Sequence, residues 1–423
     1  GTHKITIDGE NSSGSAVDID GDIVESGGGK LQIQIDTPAT TLIDIVPTSG
    51  NVHHLRINHA SCICTFLGNT SISGNLNITA GELKSAGSNS LTVTGSTDVT
   101  GTLTCNASTV SLGSGKSDDY ALFASGTVNF GTGTITVGAV NTTSASGITK
   151  TSGTITFDTT KTGGQSIGPN VTNANSHFNF GTSTVNFDLS GGFGSLFAIE
   201  QHVGSSKTFT ITAATVNYKS NGRIYQNSST DNFFKIIGDL VIDASKTLTT
   251  YFDNADDFGS KLEVTGDVTL NGTLNAYSAS NPKAMDFGSL TIASGGTYSA
   301  TSGTTTITDV YSSPFALNNS GTFTHNSGTL KLTRSGNQDF LGTWTGSSAL
   351  YNLTIDCGGG TQSIRANMEI EGGLIITNGN FSTRTDNHDL TVVDLITVNG
   401  GTFTTNSSTI NCGGIRNVGG TIS

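Results

Sequence analysis

One run of residues recurs along this chain, and the recurrence limits what the chain can fold into. Residues 399–410 (NGGTFTTNSSTI) nearly repeat 319–330 (NSGTFTHNSGTL), and both match 99–110 (VTGTLTCNASTV). Long internal repeats are the sequence signature of stacked, solenoid architectures. A repeat built for stacking says much about architecture and little about chemistry.

The repetition extends well beyond that run. With Gly74 set against Gly372, residues 53–58 (HHLRIN) face 351–356 (YNLTID). Asn69 then meets Asn367, Leu76 meets Leu374, Ile78 meets Ile376 and Gly81 meets Gly379. After two one-residue slips the match continues through Leu91/Leu390, Val99/Val398, Leu103/Phe403 and Val110/Ile410. Copies fall near 52–113, 288–333 and 350–413, and a shorter echo links 128–132 (VNFGT) with 178–182 (FNFGT). Such slips suit a solenoid, where an extra corner residue disturbs only its neighbours.

Within each copy the period is two. Leu76/Ile78, Leu91/Val93 and Val110/Leu112 are apolar pairs split by one polar residue, the pattern of a half-buried strand. Thr and Val fill these strands, in line with β preference. Gly and Asn punctuate them and tolerate the left-handed backbone of a tight corner. Residues 195–202 and 231–237 are the two places where a turn or two of helix is expected. A β-sandwich gives no reason for similar strands to recur in fixed register. The expected fold is therefore all-β, a parallel β-helix solenoid, right-handed because parallel crossovers nearly always are. Its rungs should take roughly 20 residues and rise about 4.8 Å each.

Length alone would suggest two or three domains, but the texture is uniform over 51–423, which reads as one continuous β-helix. Residues 1–50 differ, with acidic alternation and both early prolines, and read as first rungs or a cap. The net charge of −13 opposes nucleic-acid binding, which needs a basic footprint. That acidity suits solubility in a saline medium. No apolar run is long enough to span a membrane. A start at Gly1 without Met reads as a processed chain or a piece of a larger one. The five cysteines are too few for a disulfide framework. Cys105 and Cys412 fall on core parity, and Cys62 and Cys64 could bridge only if the backbone bulged, so free buried thiols are expected.

Several constellations invite chemistry. His53, His54, His59, Cys62 and Cys64 lie close together but lack the paired spacing of zinc sites, and strand parity would send His53 inward and His54 outward. Asp18, Asp20 and Asp22, and Asp253, Asp256 and Asp257, gather oxygen donors as calcium would require, without matching a calcium-loop pattern. They are the metal candidates; no other cofactor is expected. Hydrolysis of a glycan needs two carboxyls about 5 to 9.5 Å apart, and Asp118–Asp119 and Asp256–Asp257 are the candidates by composition. The residues shared by pectin-cleaving β-helices are absent, so no catalytic residue is assigned. Asn-x-Ser/Thr triplets such as those at Asn69, Asn77 and Asn106 keep glycosylation open. Trp344 and the Phe-rich middle, Phe123 to Phe258, read as core stacks rather than sugar platforms.

Residues 327–342 (SGTLKLTRSGNQDFLG), 349–356 (ALYNLTID) and 151–158 (TSGTITFD) resemble modules of large repetitive surface and virion proteins. Such modules occur in marine phage fibre or decoration proteins and in filamentous-haemagglutinin-like adhesins. The resemblance covers most of 51–423 and carries no catalytic residues. It implies an extracellular fibre, spike or decoration on a virion or cell surface, stiff and non-enzymatic. Homo-oligomerisation or neighbouring structural proteins would cover exposed sheet edges. The alternatives are a tailspike-like polysaccharide depolymerase and an adhesin that binds a surface glycan.

Overall fold

A strand that alternates inward and outward side chains can bury its inner face by stacking on a like strand, and the chain is built this way. The computed structural model describes residues 2–7, 15–19, 30–36, 40–45, 52–114, 120–142, 147–158, 167–169, 176–188, 197–201, 208–226, 233–250, 261–277, 282–308 and 316–423. It is an all-β solenoid of about 13 turns. The one helical element among the described residues is the 3-10 turn Gly346–Ser348. No helix there is long and apolar enough to cross a membrane. The chain divides into two compact units, Gly1–Gly204 with Phe209–Thr215, and Ser205–Thr208 with Val216–Ser423.

In the first unit Leu55, Leu76, Thr97, Leu122 and Val140 succeed one another in parallel register. A second column runs Cys64, Leu83, Leu103, Val128 and Ile148. Within 1–50, Thr2–Ile7 pairs with Lys30–Ile35 and Ser15–Ile19 with Thr40–Ile45, and the later strand of each pair lies against His54–Phe66. In the second unit Leu262, Met285, Thr305, Leu330, Leu353, Leu374 and Ile396 form one column. Leu248, Leu274, Tyr298 and Phe323 form another. The side chains of these columns are almost wholly buried, and each Leu, Ile, Val, Met or Phe among them contributes about 1.5–3 kcal/mol. Trp344 is in the core as expected, against Phe323 and Phe340, with its indole N–H on the Leu341 carbonyl at 3.0 Å.

The run shared by 99–110, 319–330 and 399–410 turns a corner of the solenoid. Asn106, Asn326 and Asn406 hold equivalent places in the three copies, and all have positive φ (31°, 47° and 49°). Each lies in a turn closed by Ser108 N–H to Cys105 O, Gly328 N–H to His325 O or Ser408 N–H to Thr405 O. Each carboxamide also donates to the preceding rung, Asn106 to Ser85 O and Asn326 to Ala300 O, with Asn406 reaching Ser382 Oγ. Gly131 and Gly181 take the same place in the shorter echo, with φ of 56° and 53°. Asn tolerates this conformation and caps the turn, whereas Gly only tolerates it.

Other corners are clamped upward. The Ser96 N–H donates to Asn75 Oδ1 at 3.0 Å, Gly373 N–H to Asn352 Oδ1 at 3.0 Å, and Thr361 N–H to Asn337 Oδ1 at 2.8 Å. Asn367 holds Asp389 and Asp389 holds Thr409 in the same manner. The ladder therefore sets side-chain oxygen over backbone N–H, rather than amide over amide. One rung takes 21 residues at Asn75–Ser96 and 28 at Asp239–Asp267.

Two sequence expectations fail. Phe197–Gln201 and Phe233–Ile242 are strands, not helical turns. In the second, Phe234 and Ile236 alternate inward and stack on Leu262 and Val264. Ladder pairing there overrides the local helical look of a mixed apolar run.

Candidate functional site

The structure puts the ring nitrogens of the His/Cys cluster to other uses. His53 and His54 do not diverge as strand parity predicted, because the strand begins only at His54 and residue 53 precedes the pleat. Their rings meet edge-on with centroids 4.3 Å apart. His53 Nδ1 pairs with Ser73 Oγ at 3.1 Å, and His54 Nδ1 accepts the Asn75 N–H at 3.0 Å. His59 Nδ1 accepts the Ser61 N–H at 3.2 Å. These ring nitrogens thus serve the wall and corners. Among the described residues no group of three or more His, Cys, Asp or Glu is placed to hold a metal.

Of the acidic candidates, Asp18 lies in Ser15–Ile19, opposite Asp44 in the ladder. Asp20, Asp22, Asp253, Asp256 and Asp257 lie outside the described residues, as do Asp118 and Asp119. The structure brings together a different carboxyl pair. Asp239 and Asp267 occupy successive rungs, with the Asp267 N–H on Asp239 Oδ1 at 2.9 Å and Ser289 Oγ donating to Asp267 Oδ1 at 2.5 Å. Burial pushes the Asp239 carboxyl up, and the neighbouring Asp267 charge adds to this. Asp339 in the second unit is already held by Arg365 and Arg384, so that carboxylate is committed to ion pairs.

None of the five cysteines is in a disulfide, and Cys62, Cys64, Cys105 and Cys357 are buried. Cys412 takes its expected ladder slot, opposite Val392, but is only half-buried. His325 stacks on Tyr351, and its Nε2 faces Glu371 Oε2 at 3.1 Å while Nδ1 accepts the Ser327 N–H. The crevice beneath it has a volume of about 10 Å³, room for about one water.

The larger opening lies on the outer wall of the first unit. Asp98, Phe123 and Asn141 follow one another in the ladder of Thr97–Val99, Leu122–Ala124 and Val140–Thr142. Val99 and Ala124 point inward at the neighbouring positions, so the three outward side chains share a face. With Thr100 and Ser125 they line an open groove of about 280 Å³. That volume is just under the range of about 300–1,000 Å³ for small-molecule sites. Ser125 Oγ donates to Thr100 Oγ1 at 3.4 Å. The Phe123 ring is half-exposed and braced edge-on by Tyr120, with centroids 5.4 Å apart. Phe123 was expected in a core stack, and it lies on the surface instead. Asp98 and Asn141 gave no sequence signal, because isolated Asp and Asn are common in strand walls of this composition.

The arrangement offers an aromatic face flanked by a carboxylate, an amide and hydroxyls. It can hold a ring with one apolar face and a hydroxylated edge. It brings no nucleophile and base within reach of each other. The fold defines a parallel β-solenoid. The chain matches no family model, no curated protein and no solved structure.

Proposed function

We propose that the protein is a structural and adhesive β-solenoid displayed outside a cell or on a virion, and that the Phe123 groove contacts a surface glycan. The observation that carries the adhesive part is the exposed Phe123 ring between Asp98 and Asn141 on a wall where outward positions are otherwise polar. An aromatic face stacks on the apolar face of a sugar, while the carboxylate accepts hydroxyl protons. Asp98 and the net charge of −13 favour neutral sugars over uronates. The scaffold part is supported by the corner clamps, which tie each rung to the next through hydrogen bonds of about 1 kcal/mol each. The surface and virion placement is supported by the resemblance of 327–342 and 349–356 to repetitive surface modules.

A glycan array tests the adhesive part. Binding of neutral oligosaccharides that disappears in Phe123→Ala, with unchanged circular dichroism, is the expected result. Binding that is absent, or indifferent to Phe123, removes it. Association of identical chains belongs to the same reading, and a monomeric particle in light scattering counts against it. A second reading, polysaccharide depolymerase, has one supporting observation, the raised Asp239 carboxyl beside Asp267. Release of reducing ends that stops in Asp239→Asn would favour that reading over the first.

A further inference from the structure

We propose that Cys62 and Cys64 form an intrachain disulfide when the chain folds in contact with a disulfide oxidant. The two Sγ atoms lie 3.2 Å apart, and both side chains are fully buried. Side chains two apart on a regular strand do not approach so closely, and here the strand is not regular. Along His54–Phe66, Asn58 pairs with Ala80 and Ile63 with Glu82, so the intervening corner carries more residues than its partner. This bulge is the condition under which a Cys-x-Cys pair can reach disulfide geometry, with an S–S bond of about 2.03–2.05 Å.

The timing follows from what covers the pair. Gly81, at φ +76°, lies over the corner, and a Cβ there would press on the carbonyl oxygens of His59 and Cys62. The contact with the Cys62 thiol, together with burial, also makes Cys64 reluctant to ionise in the folded chain, and the thiolate is the attacking species. Oxidation therefore precedes closure of the next rung. One cysteine thiolate attacks the oxidant's disulfide and releases one oxidant thiolate, leaving a mixed disulfide. The second cysteine thiolate attacks the cysteine sulfur of that mixed disulfide and releases the other oxidant thiolate. Two cysteine thiols lose two protons and two electrons, and the oxidant is reduced to two thiols. Once the rung closes, reductants cannot reach the bond, so the folded chain keeps a record of the redox compartment in which it folded.

The proposal does not depend on glycan binding, and its test is separate. The unsubstituted chain is refolded with either glutathione disulfide or excess dithiothreitol, unfolded in acid, alkylated with N-ethylmaleimide and weighed intact. After oxidative folding, three of the five cysteines should be alkylated, and peptide mapping should place the link between Cys62 and Cys64. The folded oxidised protein should resist dithiothreitol until urea is added. Cys64→Ser should leave all four remaining thiols open to alkylation. Five alkylations after oxidative folding, a link to Cys105, Cys357 or Cys412 instead, or ready reduction of the link in the folded state would each overturn the proposal.

Discussion

Replacing Lys150 with methionine should stabilise the protein at neutral pH, because this amine lies in the core. Cys105, Phe130, Lys150 and Phe180 follow one another in one inward column, each continuing the register of the strand before it. Lys150 is 3% exposed, and its ammonium donates to the Gly133 carbonyl. Burial pushes the amine down to about 8 from its ordinary 10.5. Below pH 8 the amine is charged in both the folded and unfolded chain, and the folded state carries the whole penalty, about 3 kcal/mol. Between pH 8 and 10.5 the folded amine has lost its proton while the unfolded one keeps it, so the penalty fades. Above pH 10.5 it is gone. Methionine fills most of the same space without charge but leaves the Gly133 carbonyl unpaired, a cost of about 1 kcal/mol. The net gain at pH 7 is then about 2 kcal/mol, turning to a small loss above pH 10.5.

Urea unfolding followed by far-ultraviolet circular dichroism measures this. Hydrogen exchange of peptides spanning 127–157 serves as the local probe, since solenoids need not unfold in one step. Cys105 is pushed up to about 12 by burial, with the Lys150 charge pulling the other way, so the fold weakens as pH rises above 9 and the variant loses that offset; the comparison at pH 7, where the thiol is protonated in both states, is free of it. A variant no more stable than wild type at pH 7, or a gain that persists unchanged to pH 11, would refute the buried-amine argument.

Three further outcomes follow from the corners. Gly131→Ala should destabilise the first unit by more than the usual glycine-to-alanine change, at least about 1–3 kcal/mol, because φ is +56° and the new Cβ would fall on the Asn106 carbonyl oxygen; thermal unfolding reads it. Asn75→Ala should cost about 1 kcal/mol by removing the acceptor for the Ser96 N–H, while Asn75→Asp, which keeps that oxygen, should cost less; paired urea midpoints separate the two. Asp239→Asn should stabilise the second unit at pH 7, because a carboxyl raised by burial is penalised once ionised. That gain should vanish as the pH falls below the ordinary carboxyl range near 3.8, where both states are protonated; urea titrations at pH 7 and pH 3 decide it.

The period-two pattern and the repeated corners determined a good deal from the sequence alone. Thr-Leu-Thr, Thr-Phe-Thr and their Asn corners recur because each rung meets the same local demand, a half-buried strand that must turn within a few residues. That demand is met by residue type and nearest neighbours, so Asn106, Asn326 and Asn406 could be matched before any coordinates were known. Which strand each rung stacks on, and how many residues its corners spend, is not a local property. Bulges at corners shift the phase of the pleat, and a shift of one residue exchanges inside for outside. For that reason only the tertiary structure placed Phe123 on the wall, turned His53 toward His54, seated Asp239 beneath Asp267 and brought the Cys62 and Cys64 sulfurs together. Lys150 shows both halves of the lesson. Its parity with Ile148 was written in the sequence, but the burial that lowers its pKa comes from the rungs stacked above and below it.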